Sequence, residues 1–279
     1  MITVSQQRYI EDYAYVPEHL SHYVTAVSQT EPFFIDDFVV HVKKDHLVFV
    51  GYPLKGPWGE KQMVRVLESA IQRFKPRSIA LTAPAIPSSL KNCVHSPPDH
   101  YYQLDLSAIS ISQKLRNMLK RADRELSVER SNTFDEEHRE MIAEFLKKHP
   151  VDEATGFIFN RIDEYLSSSS TARVFDARNK RNELVAFDVA EFRPKDYALY
   201  MFNFGSDARY VPGASDLLLS EVIKQAKTER KKYINLGLGI NPGVAFFKEK
   251  WGGVAFLPQA SCLCYSSRKE DLDSLLQKL

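Results

Sequence analysis

Residues 198–253 constrain the fold more than any other stretch, because their apolar residues change period in a fixed order: two, then about 3.6, then two again. Residues 198–205 alternate, with Tyr200, Phe202 and Phe204 on one face and Leu199, Met201 and Asn203 on the other, which predicts a strand ending at Gly205. From Ala214 onward, Leu217, Leu218, Val222, Ile223 and Ala226 fall at helical spacings, with Lys224, Lys227 and Glu229 between them. A second strand follows at 233–238. A breaker cluster at 239–243 then precedes a two-turn helix at 244–251, closed by Gly252 and Gly253. Pro212 and Gly213 sit at the start of the long helix. Unpaired N–H groups and the positive end of the helix dipole make that point suited to an anion, most usefully a phosphate.

Strand, anion-binding helix start, parallel neighbouring strand and short helix, in that order, resemble the cofactor half of the GNAT acyltransferases. The pyrophosphate loop of that family reads Arg/Gln-x-x-Gly-x-Gly/Ala. Arg209-x-x-Pro212-x-Ala214 matches its first and last positions, while proline replaces the middle glycine and removes one N–H donor, with Gly213 alongside. The family's next motif, Asn…Phe-Tyr-x-x-x-Gly-Phe, aligns with Asn241…Phe247-Lys248-Glu249-Lys250-Trp251-Gly252-Gly253, so Lys248 stands where the general-acid tyrosine is usual. Phe-Lys-x-x-Trp-Gly-Gly is similar to the FemAB-type branch, which uses aminoacyl-tRNA and carries two GNAT-like halves in tandem, and to the C-terminal domains of phosphatidylglycerol lysyltransferases. Leu104-Asp-Leu-Ser107, followed by Arg116-Asn-Met-Leu-Lys-Arg-Ala122, resembles the signature that closes the first half of that type.

Together these motifs cover most of residues 33–265. They imply an α/β (α+β) fold of two tandem GNAT-like halves, each a mixed β-sheet flanked by helices. The first half is expected over 1–150 on the acceptor side, and the second, with the donor-binding loop, over 151–279.

At 279 residues with 44% hydrophobic and 26% charged side chains, the chain reads as an ordinary globular protein with ample core. A formal charge of +1 gives no global reason to expect nucleic acid. No apolar run reaches the ~20 residues of a membrane span, and the opening residues lack a signal-peptide core, so a cytoplasmic location is expected. Cys93, Cys262 and Cys264 are too few and too unevenly spaced for a sequence-level zinc or disulfide motif. They are expected to be buried free thiols, and no metal is expected. His19 and His22, three apart on a short helix, read as a solvated surface.

Acylation of an amine needs a neutral nucleophile, and an unperturbed amine of pKa about 10.4 costs roughly 4.6 kcal/mol to be neutral at pH 7. Glu191, which ends the apolar face Val185, Phe187 and Val189, is the candidate base, with Tyr200 and Asn203 as orienting groups. The alternative for Glu191 is a rim carboxylate paired with Arg193 or Lys195.

The resemblance further implies a donor, either acyl-CoA such as acetyl-CoA or aminoacyl-tRNA, bound along Phe202, Phe204, Arg209, Pro212, Gly213, Ala214 and Ser215. Backbone N–H groups near Phe202 and Phe204 would meet the oxyanion. Lys248 would stabilise developing charge or clamp a phosphate, the alternative being a surface lysine. Asn203, Asn241 and Trp251 are candidate substrate contacts. So are Arg116 and Lys120 on a basic helix face, which otherwise reads as solvated. The implied acceptor is an amine or hydroxyl of a small molecule, lipid or peptidoglycan precursor, with tRNA as a further partner. The competing reading is a degenerate, non-catalytic GNAT-like binding protein, suggested by Pro212 and the absent tyrosine.

Overall fold

The structure, a computed structural model, describes residues 2–91 and 93–265. Along the chain, helices α1 (Val4–Tyr13) and α2 (Ser21–Ser28) precede strands β1 (Glu31–Ile35), β2 (Phe38–Lys43) and β3 (His46–Val50). Helix α3 (Glu60–Phe74) leads to β4 (Ser78–Ala83), β5 (Cys93–His95) and β6 (Asp99–Asp105). Then come α4 (Gln113–Glu125), β7 (Leu126–Ser131), α5 (Glu136–Lys148), α6 (Glu153–Phe159) and α7 (Ile162–Ser168). The rest is β8 (Ala172–Asn179), β9 (Leu184–Glu191), β10 (Tyr197–Gly205), α8 (Ala214–Thr228), β11 (Tyr233–Leu238), α9 (Pro242–Glu249) and β12 (Val254–Tyr265).

Two compact units form, and neither is a contiguous piece of chain. The first takes the described parts of 1–6, 30–99 and 257–279, and the second takes 7–29 and 100–256. Residue 150, the expected division, lies within the second of these units. Residue 150 falls between α5 and α6, whose neighbours α2, β9 and β10 all belong to the second unit.

Each unit is a mostly antiparallel sheet with one parallel pair made by a strand-helix-strand crossover. In the first, the strand order is β1-β2-β3-β4-β12, with β5 also on β12, and α3 carries the chain between parallel β3 and β4. In the second the order is β6-β11-β10-β9-β8-β7, and α8 makes the crossover between parallel β10 and β11. The expected mixed sheet flanked by helices is thus present in both.

Alternation builds the second unit's core. Ala186, Ala190, Ala198 and Tyr200 face α8, whose Leu217, Leu218, Leu219, Val222, Ile223 and Ala226 are buried on them. Small residues on the strands let the helix approach closely, and each buried leucine contributes about 1.5–3 kcal/mol. On the opposite face, Phe187, Val189, Phe202 and Phe204 pack with Met141 and Ile142 of α5 and with Ile162 and Tyr165 of α7.

Strict alternation would place Tyr200 with Phe202 and Phe204, but the β9–β10 register shifts between Tyr200 and Phe202. That bulge sends Tyr200 towards α8 and the two phenylalanines to the other side. Other departures are equally local. The residues of 152–166 predict a single helix, but it breaks at Asn160 and Arg161, where Arg161 takes a non-helical backbone. His19 is fully buried, and His22 is hydrogen-bonded to Glu191 rather than solvated.

The cysteines also differ from expectation. Cys93 and Cys264 are directly opposed across the β5–β12 ladder and are joined by a disulfide, leaving Cys262 as a buried free thiol. The pairing spans 171 residues, so no local spacing announces it. The alternation of Cys262 and Cys264 predicts a late strand over 260–266; it reaches Tyr265, and Ser266 lies outside the described residues. Among the described residues no helix is long and apolar enough to cross a membrane.

Candidate active site

Strand β10 starts paired to β11 but leaves it early. Their parallel register runs only through Tyr197–Tyr233, Ala198–Ile234 and Leu199–Asn235. Beyond Leu199, β10 keeps its bonds to β9 and runs on to Gly205, so the two parallel strands part in mid-sheet. At the end of β10 the chain turns through 206–213 into α8.

Gly213 caps α8 in the left-handed region, at φ 87°, with no capping side chain. Only glycine fits there, because a Cβ would strain that backbone and stand 2.9 Å from Met118 Cγ of α4. The first helical N–H groups consequently lack a side-chain cap. They border a cavity of about 280 Å³ lined by Ala186, Gly205, Ser206, Tyr210, Gly213 and Ser215, among others. Arg209 closes the loop from outside, its Nε donating to the Leu184 carbonyl at 2.8 Å while its backbone N–H donates to Ser206 Oγ.

Two acidic groups lie beneath this helix start, and their environments differ. Asp216, in the first turn of α8, accepts from Trp251 Nε1 at 2.8 Å and pairs with Lys250 Nζ at 2.7 Å, so its charge is compensated. Asp188, in the middle of β9 and fully buried, accepts from Asn203 Nδ2 at 2.5 Å, and Ser215 Oγ donates to Asn203 Oδ1 at 3.3 Å. Burial pushes the Asp188 carboxyl up to about 8, against the opposing hydrogen bonds of Asn203 and Tyr200, and the Asp216 charge adds to the rise. Asp188 is therefore a neutral acid at pH 7. Its Oδ2 and the Tyr200 hydroxyl are buried without a hydrogen bond of standard geometry. Burial, then the neighbouring Asp188, hold the Tyr200 phenol well above its usual range, so it remains protonated.

Lys248 is 4% exposed, on α9. Its ammonium donates to the Leu238 carbonyl and lies 5.7 Å from the centre of the Tyr102 ring. Gly237 is in the left-handed region at φ 77°, and a Cβ there would stand 3.7 Å from both Lys248 Nζ and the Tyr200 carbonyl. The lysine charge thus sits where β10 and β11 part, not on the surface.

The other candidates scatter. Glu191 is fully buried at the far end of β9, held by His22 at 2.9 Å, Ser169 at 2.7 Å, Tyr165 at 3.1 Å and the backbone N–H groups of Phe192 and Arg193. Burial alone would raise its carboxyl, but hydrogen bonds from His22, Thr171 and Ser169 hold it down at about 2. A carboxylate so acidic and enclosed is a poor proton acceptor. These contacts tie the end of β9 to the elements bearing His22, Tyr165 and Ser169.

Asn241 is the N-cap of α9, accepting from Gly243 and Val244 N–H at 3.0 Å, and Trp251 is spent on Asp216. Arg116 folds back on the Ile111 carbonyl, and Lys120 is exposed. Phe202 and Phe204 turn their rings away from α8 into the opposite core, and Pro212 is exposed. The structure does bring Gly213, Ala214 and Ser215 together at one cavity, with Asn203 hydrogen-bonded to Ser215 and Tyr200 packed beneath the same helix. Asp188 and Asp216 escaped assignment. The available signal for Asp188 was a carboxylate between Ala186 and Ala190, on a face otherwise too small and apolar to need one.

No family model and no curated protein matches the sequence. Solved structures do match. The C-terminal domain (DUF2156) of a putative lysylphosphatidylglycerol synthetase from Agrobacterium fabrum superposes with a TM-score of 0.64 at 14% identity, over 98% of this chain and 95% of that one. FemX superposes with a TM-score of 0.60 at 11% identity, over 93% and 96%. A tandem GNAT protein from the clavulanic acid biosynthesis pathway superposes with a TM-score of 0.51 at 10% identity, over 84% and 79%. The chain has the GNAT fold.

Proposed function

We propose that this chain of GNAT fold is a transferase that moves an acyl or aminoacyl group from a phosphate-bearing donor to an amine. The carrying observation is the uncapped start of α8 at Gly213, open on a cavity at the end of a strand that has parted from its parallel neighbour. The N–H groups and dipole there favour the donor's phosphates. The free edge of β10 beyond Leu199 leaves backbone groups for the reacting carbonyl, and Lys248, at the parting of the strands, supplies fixed positive charge as negative charge develops.

Acyl-CoA and aminoacyl-tRNA both carry the required phosphates. The acceptor class in this reading is an amine or hydroxyl of a small molecule, a lipid or a peptidoglycan precursor. A second reading, binding without transfer, is favoured by one observation: the Lys248 ammonium already has the Leu238 carbonyl as a partner.

A thermal-shift panel of acetyl-CoA, longer CoA esters, deacylated tRNA and aminoacyl-tRNA tests both readings, since a donor at a hundredfold excess over its Kd adds about 2.7 kcal/mol. Stabilisation by one donor class with product formed on an amine supports transfer. Stabilisation without product supports the binding module, and no stabilisation by any donor overturns both.

A further inference from the structure

We infer that the first unit holds a zinc site formed, in the reduced protein, by Cys93, Cys262, Cys264 and His95. Cys262 and Cys264 are two apart on β12, so both point to the same face of the sheet. In the antiparallel β5–β12 register Cys264 is opposite Cys93 and Cys262 is opposite His95. Directly opposed residues share a face, so all four side chains project to one side from two adjacent strands.

Distances agree with metal coordination. The three sulfurs all lie within 4.8 Å of one another, and Cys262 Sγ is 3.6 Å from Cys264 Sγ. Tetrahedral Zn–S bonds of about 2.3 Å put neighbouring sulfurs roughly 3.8 Å apart. The Cys262–Cys264 pair already has nearly that separation. Cys93 and Cys264, bonded here, need only separate to the same distance. Two residues of one strand cannot complete a tetrahedron, and β5 supplies the other two ligands from across a single ladder. His95 is exposed and directly opposite Cys262, which makes it the fourth ligand of the inferred site. Cys262 and Cys264 are 5% and 3% exposed and belong to the apolar cluster of Leu81, Ile79 and the α3 residues Met63 and Leu67. Such a shell keeps water from the metal and suits a closed structural site.

Reaching this state requires two-electron reduction of the disulfide, which a low-molecular-weight monothiol supplies. One thiolate attacks the Cys93–Cys264 bond to give a mixed disulfide, and a second thiol resolves it. Two electrons pass to the protein sulfurs, and the small molecules leave as their own disulfide. Zn²⁺ then binds three thiolates and a neutral imidazole, releasing three thiol protons with no change in its own oxidation state.

The test is titration of the full chain, reduced with a phosphine under argon, with Co²⁺ as spectroscopic probe and then Zn²⁺. The expected result is one Co²⁺ per chain, with sulfur-to-cobalt charge-transfer absorption and tetrahedral visible bands, both removed by one equivalent of Zn²⁺. Cys262→Ser is expected to weaken Co²⁺ binding more than about tenfold, and His95→Ala to weaken it and alter the visible bands. Absence of charge-transfer absorption from the reduced wild-type chain overturns the inference, leaving a disulfide beside one inert thiol. So does absorption that Cys262→Ser leaves unchanged. The wild-type titration decides whether the site exists, whatever the variants' folding.

Discussion

Asp188 accepts a hydrogen bond from Asn203 Nδ2 at 2.5 Å, and Asn203 in turn receives Ser215 Oγ at the first turn of α8. A fully buried carboxyl in the sheet is thereby linked to the loop around the cavity. Because that carboxyl titrates at about 8 in the folded state, against 3.8 as a free side chain, the native state binds the extra proton between those values. The contribution to stability is complete below about pH 3.8 and is lost as pH rises towards 8, by up to about 1.4 kcal/mol per pH unit. Asp188→Asn, which is neutral and nearly isosteric, is expected to flatten this slope. Urea unfolding at intervals from pH 5 to 8 checks it, and a variant with the wild-type slope removes Asp188 as its source.

Glu191 behaves in the opposite sense. Its folded carboxyl is depressed from 4.5 to about 2, so its contribution is complete above about pH 4.5 and lost as pH falls towards 2. Glu191→Gln replaces an acceptor by an amide facing two backbone N–H groups and should cost about 1–3 kcal/mol. Turnover per folded molecule should stay within a few-fold of wild type. A loss of several powers of ten in kcat with an unchanged melting temperature would restore Glu191 as the base.

Lys248→Met keeps the buried aliphatic stem and removes the charge where β10 and β11 part. A charge-assisted hydrogen bond is worth about 1.5–3 kcal/mol, and each 1.4 kcal/mol is a factor of ten, so transfer should fall by one to two powers of ten. Full activity in the variant would reduce Lys248 to a brace for the Leu238 carbonyl.

Much of this architecture is legible in the sequence, because its signals are local. The change of period across 198–238 announces β10, α8 and β11, and Gly213 marks the helix start where the cavity opens. What the sequence hides depends on register between distant strands. His22 meets Glu191 across 169 residues, which encloses that carboxylate. Cys93 and Cys264 meet across 171. The bulge at Met201 redirects Phe202 and Phe204, and no pattern of apolar residues marks an extra residue in a strand. Asn241 and Trp251 sit in a motif that reads as substrate contact, yet both are consumed by capping and by Asp216.

The most direct measurement of the central claim is calorimetric donor binding to Ser215→Asp, using whichever CoA ester or tRNA stabilises the wild type. An acidic residue in the first turn suits the dipole of α8 but cannot donate to Asn203 Oδ1 as Ser215 Oγ does, so the affinity is read alongside a melting curve that shows the variant folded. The same charge faces the cavity where the account places the donor's phosphates. Donor affinity is expected to fall by more than about tenfold, a change of at least 1.4 kcal/mol. Wild-type affinity in a fully folded Ser215→Asp protein would contradict it and move the donor away from the start of α8.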